Sequence, residues 1–265
     1  MKRITLILAL AMFATLTSAA QEKPKTDAPA KSETAPAGKT EAKAEALPTL
    51  DSILEKYVNA VGGKEAIEKI TSRSVKGSFS IDAFGVTDAP IEIFAKAPNK
   101  TSMKIDVPNF GLVVRVFDGS TGWSSDPMSG LRELSGAELA QMKRGSDFHA
   151  ELNIKNHYAK MEVKSKEKVG SYETYLVEAT PAEGSPVKYY FDVNTGLLVR
   201  QDEESEGPQG KMQTEVYMDD YKAVDGVKIA HTVKQVNPMM TFVIKINEIK
   251  SNVEIEEAKF AKPSN

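Results

Sequence analysis

Two neighbouring runs of alternating apolar residues constrain the fold of this chain most strongly. Apolar side chains recur at every second position over residues 103–107 and 112–116, with Pro108-Asn109 between the two runs. Alternation of this kind is typical of strands that bury one face, and the Pro-Asn pair marks a turn. Because parallel neighbours would need a crossover of a dozen residues or more, the two runs predict an antiparallel meander.

Similar strand patterns continue through most of the chain. Further runs begin near residues 75, 91, 161, 174, 187, 197, 212, 227 and 242, and a short run surrounds Trp123, so we predict about eleven strands. A sheet of that size has to twist and curl. If it stops short of closing, its concave side is too wide for its own side chains to fill. We therefore predict an α+β fold, a strongly curved antiparallel sheet (an incomplete β-barrel) with helices covering the concave face.

Helical patterns occur in two parts of the sequence. Leu50–Val61 places its apolar residues on one stripe and is followed by Gly62-Gly63, and residues 64–70 predict a short second helix. From Ser135 onward, a capping box with Glu138 predicts another helix start. Gly145 interrupts that pattern, so we expect two short helices there, packed across the open face of the sheet.

The first twenty residues have the layout of a cleavable secretory signal. Lys2 and Arg3 precede an apolar run over residues 4–16, and Ser18-Ala19-Ala20 supplies small residues for cleavage after Ala20. A retained membrane anchor is the alternative, although it needs roughly 20 apolar residues. The chain has no cysteine, so it offers no lipoprotein attachment point and no disulfide. We expect a periplasmic or secreted protein.

Composition separates a linker from the folded domain. Residues 21–48 are rich in Ala, Pro, Lys and Glu without an apolar period, which predicts a disordered linker, and residues 49–265 remain as one domain. Without Lys2 and Arg3, the formal charge of −3 becomes −5, and the linker itself is neutral. A mildly acidic domain lacks the basic patch that nucleic acids and anionic lipid head groups require, so we predict no nucleic-acid partner.

The residues that commonly carry catalysis form no recognisable motif. His149, His157 and His231 lack metal-ligand spacing, and no nucleophile elbow, phosphate loop or dinucleotide fingerprint is present. The acidic runs at 202–206 and 219–225 could bind calcium, but solvated loops are the simpler interpretation. A carboxylate pair for glycoside cleavage stays open. We predict no enzymatic activity, no cofactor and no metal site.

Two stretches resemble the periplasmic lipoprotein carrier LolA and its LolB-like relatives. They are FAKAPNKTSMKI, residues 94–105, and VFDGSTGWSSDP, residues 116–127. The family pattern is a basic residue and Arg-Pro-Asn after a strand, then an Asp-Gly-x-x-x-Trp turn. The matching positions here are Lys96, Pro98, Asn99, Asp118, Gly119 and Trp123. The later segments YYFDVNTGLLVRQ and YKAVDGVKIAHTVK are similar to the family as well.

The resemblance implies an incomplete antiparallel barrel in which helices form a lid over an apolar cavity for acyl chains. It also identifies one departure. Ala97 stands where the carriers have the arginine that holds the lid. Arg115 on the next strand could take that role, or it could be an ordinary exposed strand residue. The resemblance thus supports the fold and a lipid-type cavity more directly than it supports lipoprotein shuttling.

We predict a non-enzymatic carrier or sensor that binds a lipid-like apolar ligand between the curved sheet and the helices. Methionine is frequent in residues 49–265, and its flexible side chain suits cavities that accept variable apolar shapes. The sequence does not decide which face of each strand is concave. The predicted cavity residues are Phe79, Ile81, Ile93, Met103, Ile105, Val114, Trp123, Met142, Tyr189, Phe191, Met218 and Phe242.

The predicted partners follow from this function. They are a lipid or an acylated protein, possible proteins of the envelope, and a membrane that is touched peripherally or transiently at most. The alternative is an envelope protein-interaction module that uses the same scaffold without a lipid ligand. A deep apolar pocket would favour the carrier, and a filled interior with an exposed apolar patch at the sheet edge would favour the module.

Overall fold

The computed structural model describes residues 46–207 and 210–264. The predicted signal peptide, residues 1–20, lies outside the described residues, as does the predicted linker except for residues 46–48. Those two segments and the domain boundaries therefore stay predictions. None of the described helices combines the length and the apolarity that crossing a bilayer requires.

One antiparallel sheet of thirteen strands contains most of the described chain. On one side of β1, strands β2 to β6 follow in chain order. On its other side β13 pairs with β1, and strands β12 to β7 follow outward in reverse chain order. The strands are β1 (Ser72–Ile81), β2 (Val86–Lys96), β3 (Lys100–Val107), β4 (Gly111–Phe117), β5 (Gly122–Asp126), β6 (Gly130–Glu133), β7 (Lys160–Val169), β8 (Tyr172–Thr180), β9 (Val187–Asp192), β10 (Leu198–Gly207), β11 (Gly210–Val224), β12 (Val227–Val236) and β13 (Thr241–Ser251).

The prediction of an antiparallel sheet that does not close is confirmed, but the strand number was too low. β6 has only four residues and no alternating pattern, so sequence periodicity does not reveal it. The acidic run at residues 202–204 belongs to β10, and Asp219-Asp220 lies within β11. Both runs had been interpreted as loops. Backbone pairing with neighbouring strands holds them in the sheet, opposite polar residues such as Thr214 and Thr232, and charge alone does not indicate such pairing.

Within the described residues, four α-helices and three short 3-10 helices accompany the sheet. The α-helices are α1 (Leu50–Val61), α2 (Lys64–Glu68), α3 (Gly136–Gly145) and α4 (Ala150–Asn153), and the 3-10 helices are Asp82–Phe84, Ile154–His157 and Glu257–Phe260. The predicted interruption at Gly145 coincides with the end of α3. The predicted capping box is wrong, because the Ser135 side chain makes no cap hydrogen bond and Glu138 binds Arg132 instead.

Helix α1 is fixed at both of its ends. The side chain of Thr49 accepts a hydrogen bond from the backbone N–H of Ser52, 3.2 Å away, and caps the first turn. Tyr57 is buried, and its ring centroid lies 5.2 Å from that of Phe191 on β9. At the other end, Gly62 has a φ of +134°, and its backbone packs directly against the carbonyl of Gly226 in the β11–β12 turn. The helix therefore covers the β7–β12 part of the sheet.

Helix α3 shows how strongly the sheet is curved. Its Glu138 pairs with Arg132 on β6, while the helix also packs against β10. Nine strand spacings separate β6 from β10 in the sheet order, which is about 43 Å in a flat sheet. A helix of ten residues is only about 15 Å long. Contact with both strands requires the sheet to bend round, with α3 lying across the opening.

We expect Gly62→Ala to destabilise the fold by about 3 kcal/mol, since a Cβ there would overlap the Gly226 carbonyl oxygen and would also oppose the positive φ. Gly63→Ala is the matched control, because Gly63 also has a positive φ but open space around its Cα. That control should cost about 1 kcal/mol. Urea unfolding of both variants measures the difference, and equal losses would contradict the tight contact between α1 and the β11–β12 turn.

Candidate ligand-binding cavity

A partly enclosed cavity of about 660 Å³ lies between the concave face of the sheet and the segment that contains α3 and α4. Its volume is within the range of small-molecule binding sites in proteins. Strands β1–β4 and β13 supply one part of the wall, and β9–β12 supply the other. The lid side carries Met142, Gly145, Ala150 and Ile154.

Cross-strand register decides which residues face the cavity. Opposed residues of an antiparallel pair lie on the same face of the sheet. One such row runs from Ile93 through Met103 to Arg115. A second row crosses the other half of the sheet, and all of its members line the cavity: Tyr189, Gln201, Val216, Gln235 and Phe242.

Seven of the twelve residues predicted for the cavity lie on its wall. They are Phe79, Ile93, Met103, Ile105, Met142, Tyr189 and Phe242. Met142 comes from α3 and the other residues come from the sheet. That these side chains contact a ligand stays a prediction.

The structure places the other predicted residues elsewhere, for two reasons. Val114 and Trp123 lie on the opposite face of the sheet, because Val114 alternates with Arg115 and Trp123 pairs with Val116. Ile81, Phe191 and Met218 share the concave face but pack against other groups. Ile81 is fully buried beside Phe242, Phe191 lies under Tyr57 of α1, and Met218 packs against the cluster beneath α1.

Several polar residues of the wall were missed by sequence reasoning. They are Arg115, Glu138, Gln141, Arg144, Tyr158 and Glu203. Arg115 had been weighed as a replacement for the lid arginine or as an exposed strand residue, and its pairing opposite Met103 directs it inward. Glu203 was grouped with a solvated acidic run, yet it is paired opposite Thr214, which also lines the cavity. In both cases the alternation of residues along the strand decides which face the side chain lies on. To tell which of the two faces is concave, the register of the neighbouring strands is needed.

Two tyrosines meet at one side of the cavity. The hydroxyl groups of Tyr158 and Tyr189 are hydrogen bonded to each other, and their rings meet edge to face with centroids 6.0 Å apart. Burial raises the pKa of both phenols above the ordinary value. Both side chains therefore stay protonated at neutral pH, and they present neutral donors and acceptors to the cavity rather than a base.

Glu203 connects β10 to the helix that crosses the opening. Burial raises the pKa of its carboxyl group, while a hydrogen bond from Gln141 and the charge of Arg144 act in the opposite direction. Gln141 and Arg144 both belong to α3. Ionised Glu203 therefore loses hydration but gains attraction to the helix, and burial is the larger of the two effects.

The three histidines have structural partners. The Nε2 atoms of His149 and His157 lie 2.8 Å from the Ile70 carbonyl oxygen and 2.7 Å from the Asp147 carboxylate, respectively. Nδ1 of His231 lies 2.8 Å from the carbonyl oxygen of Ile229. Within residues 46–207 and 210–264, no cluster of three or more His, Cys, Asp or Glu side chains is arranged to hold a metal ion.

Solved structures with TM-scores above one half share this architecture. A DUF1329 family protein from Desulfovibrio piger matches with a TM-score of 0.57 and 14% identity over 80% of this chain and 97% of that one. A LolA superfamily protein from Nitrosomonas europaea gives 0.53 and 13% over 82% and 99%. The chain has a LolA-like fold.

The third LolA-like match comes from Vibrio parahaemolyticus. This domain, named for outer membrane lipoprotein sorting, gives a TM-score of 0.53 with 11% identity over 79% of this chain and 97% of that one. No protein-family model and no curated protein sequence matches the chain. The resemblance to LolA that the sequence indicated is confirmed for the fold. At such low identities, structural similarity supports the fold alone.

The raised pKa of Glu203 predicts a pH-dependent effect of Glu203→Gln. An acid whose pKa is raised on folding stabilises the fold below its unfolded pKa of about 4.5, and this contribution is lost as the pH rises through the folded value. The variant keeps the neutral hydrogen bonds at every pH. We expect its melting temperature to match the wild type near pH 4 and to exceed it at pH 7–8.

Glu204→Gln is the control, since Glu204 is on the opposite side of the same strand and is paired with Lys211 and Ser185. Its ion pair lowers the pKa of Glu204, which is the opposite direction. The control should therefore gain no stability at neutral pH. A gain of equal size in both variants would show that burial of Glu203 is not the cause.

Proposed function

We propose that this LolA-like protein is a periplasmic or secreted carrier or sensor that binds a lipid-like apolar ligand. The observation that carries the proposal is the cavity of about 660 Å³ between the sheet and α3. Its wall combines an apolar region around Phe79, Met103 and Phe242 with a polar region near α3. Such a cavity suits acyl chains, including those of an acylated protein, with the polar end of the ligand toward the lid.

Burial of a hydrocarbon chain accounts for the binding free energy. Each methylene group removed from water contributes about 0.8 kcal/mol, so ten of them contribute about 8 kcal/mol before association and ordering costs are subtracted. After those costs are subtracted, the net binding free energy is modest. That range suits a carrier that has to release its ligand as well as bind it.

The names of the similar structures support a transport role rather than catalysis, since they refer to lipoprotein sorting and to the LolA superfamily. The polar groups of the cavity support the same conclusion. The hydroxyl groups of Tyr158 and Tyr189 are bonded to each other, and Glu138 is bound to Arg132. These groups are occupied by internal partners instead of being arranged as a nucleophile with an activating base.

The attachment of the lid differs from the arginine clamp that the LolA resemblance implies. Ala97 packs in the core cluster beneath α1, and the neighbouring Pro98 carbonyl accepts a hydrogen bond of 2.9 Å from the N–H of Phe148. Backbone hydrogen bonding therefore joins the helical segment to the β2–β3 turn. We infer a lipid carrier of the LolA-like fold without assigning lipoprotein shuttling to it.

Native mass spectrometry of gently prepared protein, together with uptake of a fluorescent palmitate analogue, tests this proposal. Co-purified lipid and saturable uptake are the expected results. If neither is observed, and the protein instead captures a defined envelope protein through the outside of the sheet, the alternative of an interaction module is correct.

Met103→Trp should lower the affinity for the fluorescent palmitate analogue by about tenfold or more, because the larger ring occupies cavity volume and displaces several methylene groups. Leu112→Trp is the matched control, as Leu112 is 41% exposed and alternates with the inward-facing residues of β4. Fluorescence titration measures both variants. Equal affinities for Met103→Trp and the wild type would place the probe outside this cavity.

A further inference from the structure

Arg115 is a cation on the cavity wall whose charge is not matched by a bound acid. Its side chain lines the cavity in the row that continues through Met103 and Ile93. The Nε atom is buried and has no hydrogen-bond partner. Nor does the guanidinium form an ion pair with any residue that the structure describes.

The acidic residues nearest to Arg115 are engaged elsewhere. Glu138 accepts two hydrogen bonds of 2.7 Å from Arg132, in a paired arrangement that uses both carboxylate oxygens. Asp126 accepts hydrogen bonds from the N–H groups of Met128 and Ser129 in the β5–β6 turn. Arg132 adds a second positive charge close by, and its charge acts on Arg115 against that of Glu138.

A partly buried guanidinium without a bound acid is unfavourable. Burial lowers the pKa of Arg115, and attraction to Glu138 opposes the effect. The group still keeps its proton at neutral pH, because the pKa of arginine is far above 7. The hydration that the guanidinium loses on burial is not replaced by a paired counter-charge. An anion supplied by a ligand would offset that loss.

Arg144 also lines the cavity, but its charge is directed toward an acidic residue of the protein and not toward a ligand. The charge of Arg144 acts on Glu203 and on the Tyr158 hydroxyl. Arg144 therefore contributes to the attachment of α3 to β10. Arg115 has no bound acid, and the apolar side chain of Met103 lies directly opposite it on β3.

The neighbours of Arg115 define where a hydrocarbon chain could lie. Met103 is directly opposite Arg115 on β3, and Ile93 is directly opposite Met103 on β2. At about 4.8 Å per strand, these side chains lie about 5 and 10 Å from the β4 position. Phe79 and Phe242 continue the apolar wall, with ring centroids 5.8 Å apart. A charged head at Arg115 is thus followed by an apolar path.

We propose that Arg115 binds the oxyanion of an anionic single-chain lipid, a carboxylate or a phosphate, whose hydrocarbon chain lies along Met103 and Ile93. The proposal deepens the proposed lipid-binding function and rests on it. Guanidinium groups bind both oxyanions through paired, charge-assisted hydrogen bonds. The ligand class is therefore an acidic amphiphile and not a neutral lipid.

The test compares three ligands with the same chain, palmitate, hexadecyl phosphate and hexadecanol, each displacing a neutral fluorescent acyl probe. We expect the wild type to bind one or both anions about tenfold or more tightly than hexadecanol. Arg115→Met should remove that preference and leave hexadecanol affinity unchanged or improved. Arg115→Lys should restore part of the preference. Tighter binding of palmitate identifies a carboxylate head group, and tighter binding of hexadecyl phosphate identifies a phosphate.

Lys104→Met is the control for unspecific attraction, because Lys104 is an exposed residue on the opposite face of β3. It should keep the anion preference. Thermal unfolding tests whether Arg115→Met is folded, and we expect it to be at least as stable as the wild type, since an unpaired charge of the cavity wall is removed. Equal binding of all three ligands by wild type and Arg115→Met overturns the head-group site but keeps the carrier. Failure of hexadecanol and both anions to bind overturns the carrier itself.

Discussion

The structure depends on a sheet that is too large to lie flat and does not close. β6 and β7 are the two ends of the strand order, and the described strands contain no pairing between them. Twist bends such a sheet into a trough. The helices cover the concave side of that trough. Helix α1 covers one part by close packing, and α3 with α4 spans the rest at a distance.

Two of the three apolar clusters of the described residues lie on the concave side of the sheet. One lies beneath α1 and includes Tyr57 and Phe191, and the other lies between β1–β4 and β13 and includes Phe79 and Phe242. The cavity is situated between them and takes wall residues from both. A single continuous core would have left no space for a ligand. The division of the core is therefore what makes the proposed function physically feasible.

Sequence patterns were sufficient for the architecture but not for the wall of the cavity. Alternation predicted an open antiparallel sheet, and the helix boundaries at Val61 and Gly145 followed from glycine positions. β4, in contrast, is apolar on both faces, so its sequence cannot tell whether Val114 or its neighbours point inward. Phe191 has the correct parity, yet α1 covers it. Coverage of that kind depends on distant packing, which no local pattern encodes.

The polar wall was missed because charge was taken as a sign of solvent exposure. In a strand, residues alternate between faces, so a run such as Asp202-Glu203-Glu204 presents its middle member to one side and its outer members to the other. Glu203 therefore lines the cavity while the surrounding acids face outward. Arg115 follows the same logic on β4. Only the register of adjacent strands distinguishes such residues from surface charges.

The two ends of α3 are held by chemically different contacts. Toward β6, Glu138 and Arg132 form a partly exposed ion pair, whose strength falls as salt is added. Toward β10, Gln141 and Arg144 meet the buried carboxyl group of Glu203, whose protonation depends on acidity. The contacts at one end of α3 thus depend on ionic strength, and the contacts at its other end depend on pH. A change in salt alone, or in pH alone, is therefore expected to weaken the contacts at only one end of α3.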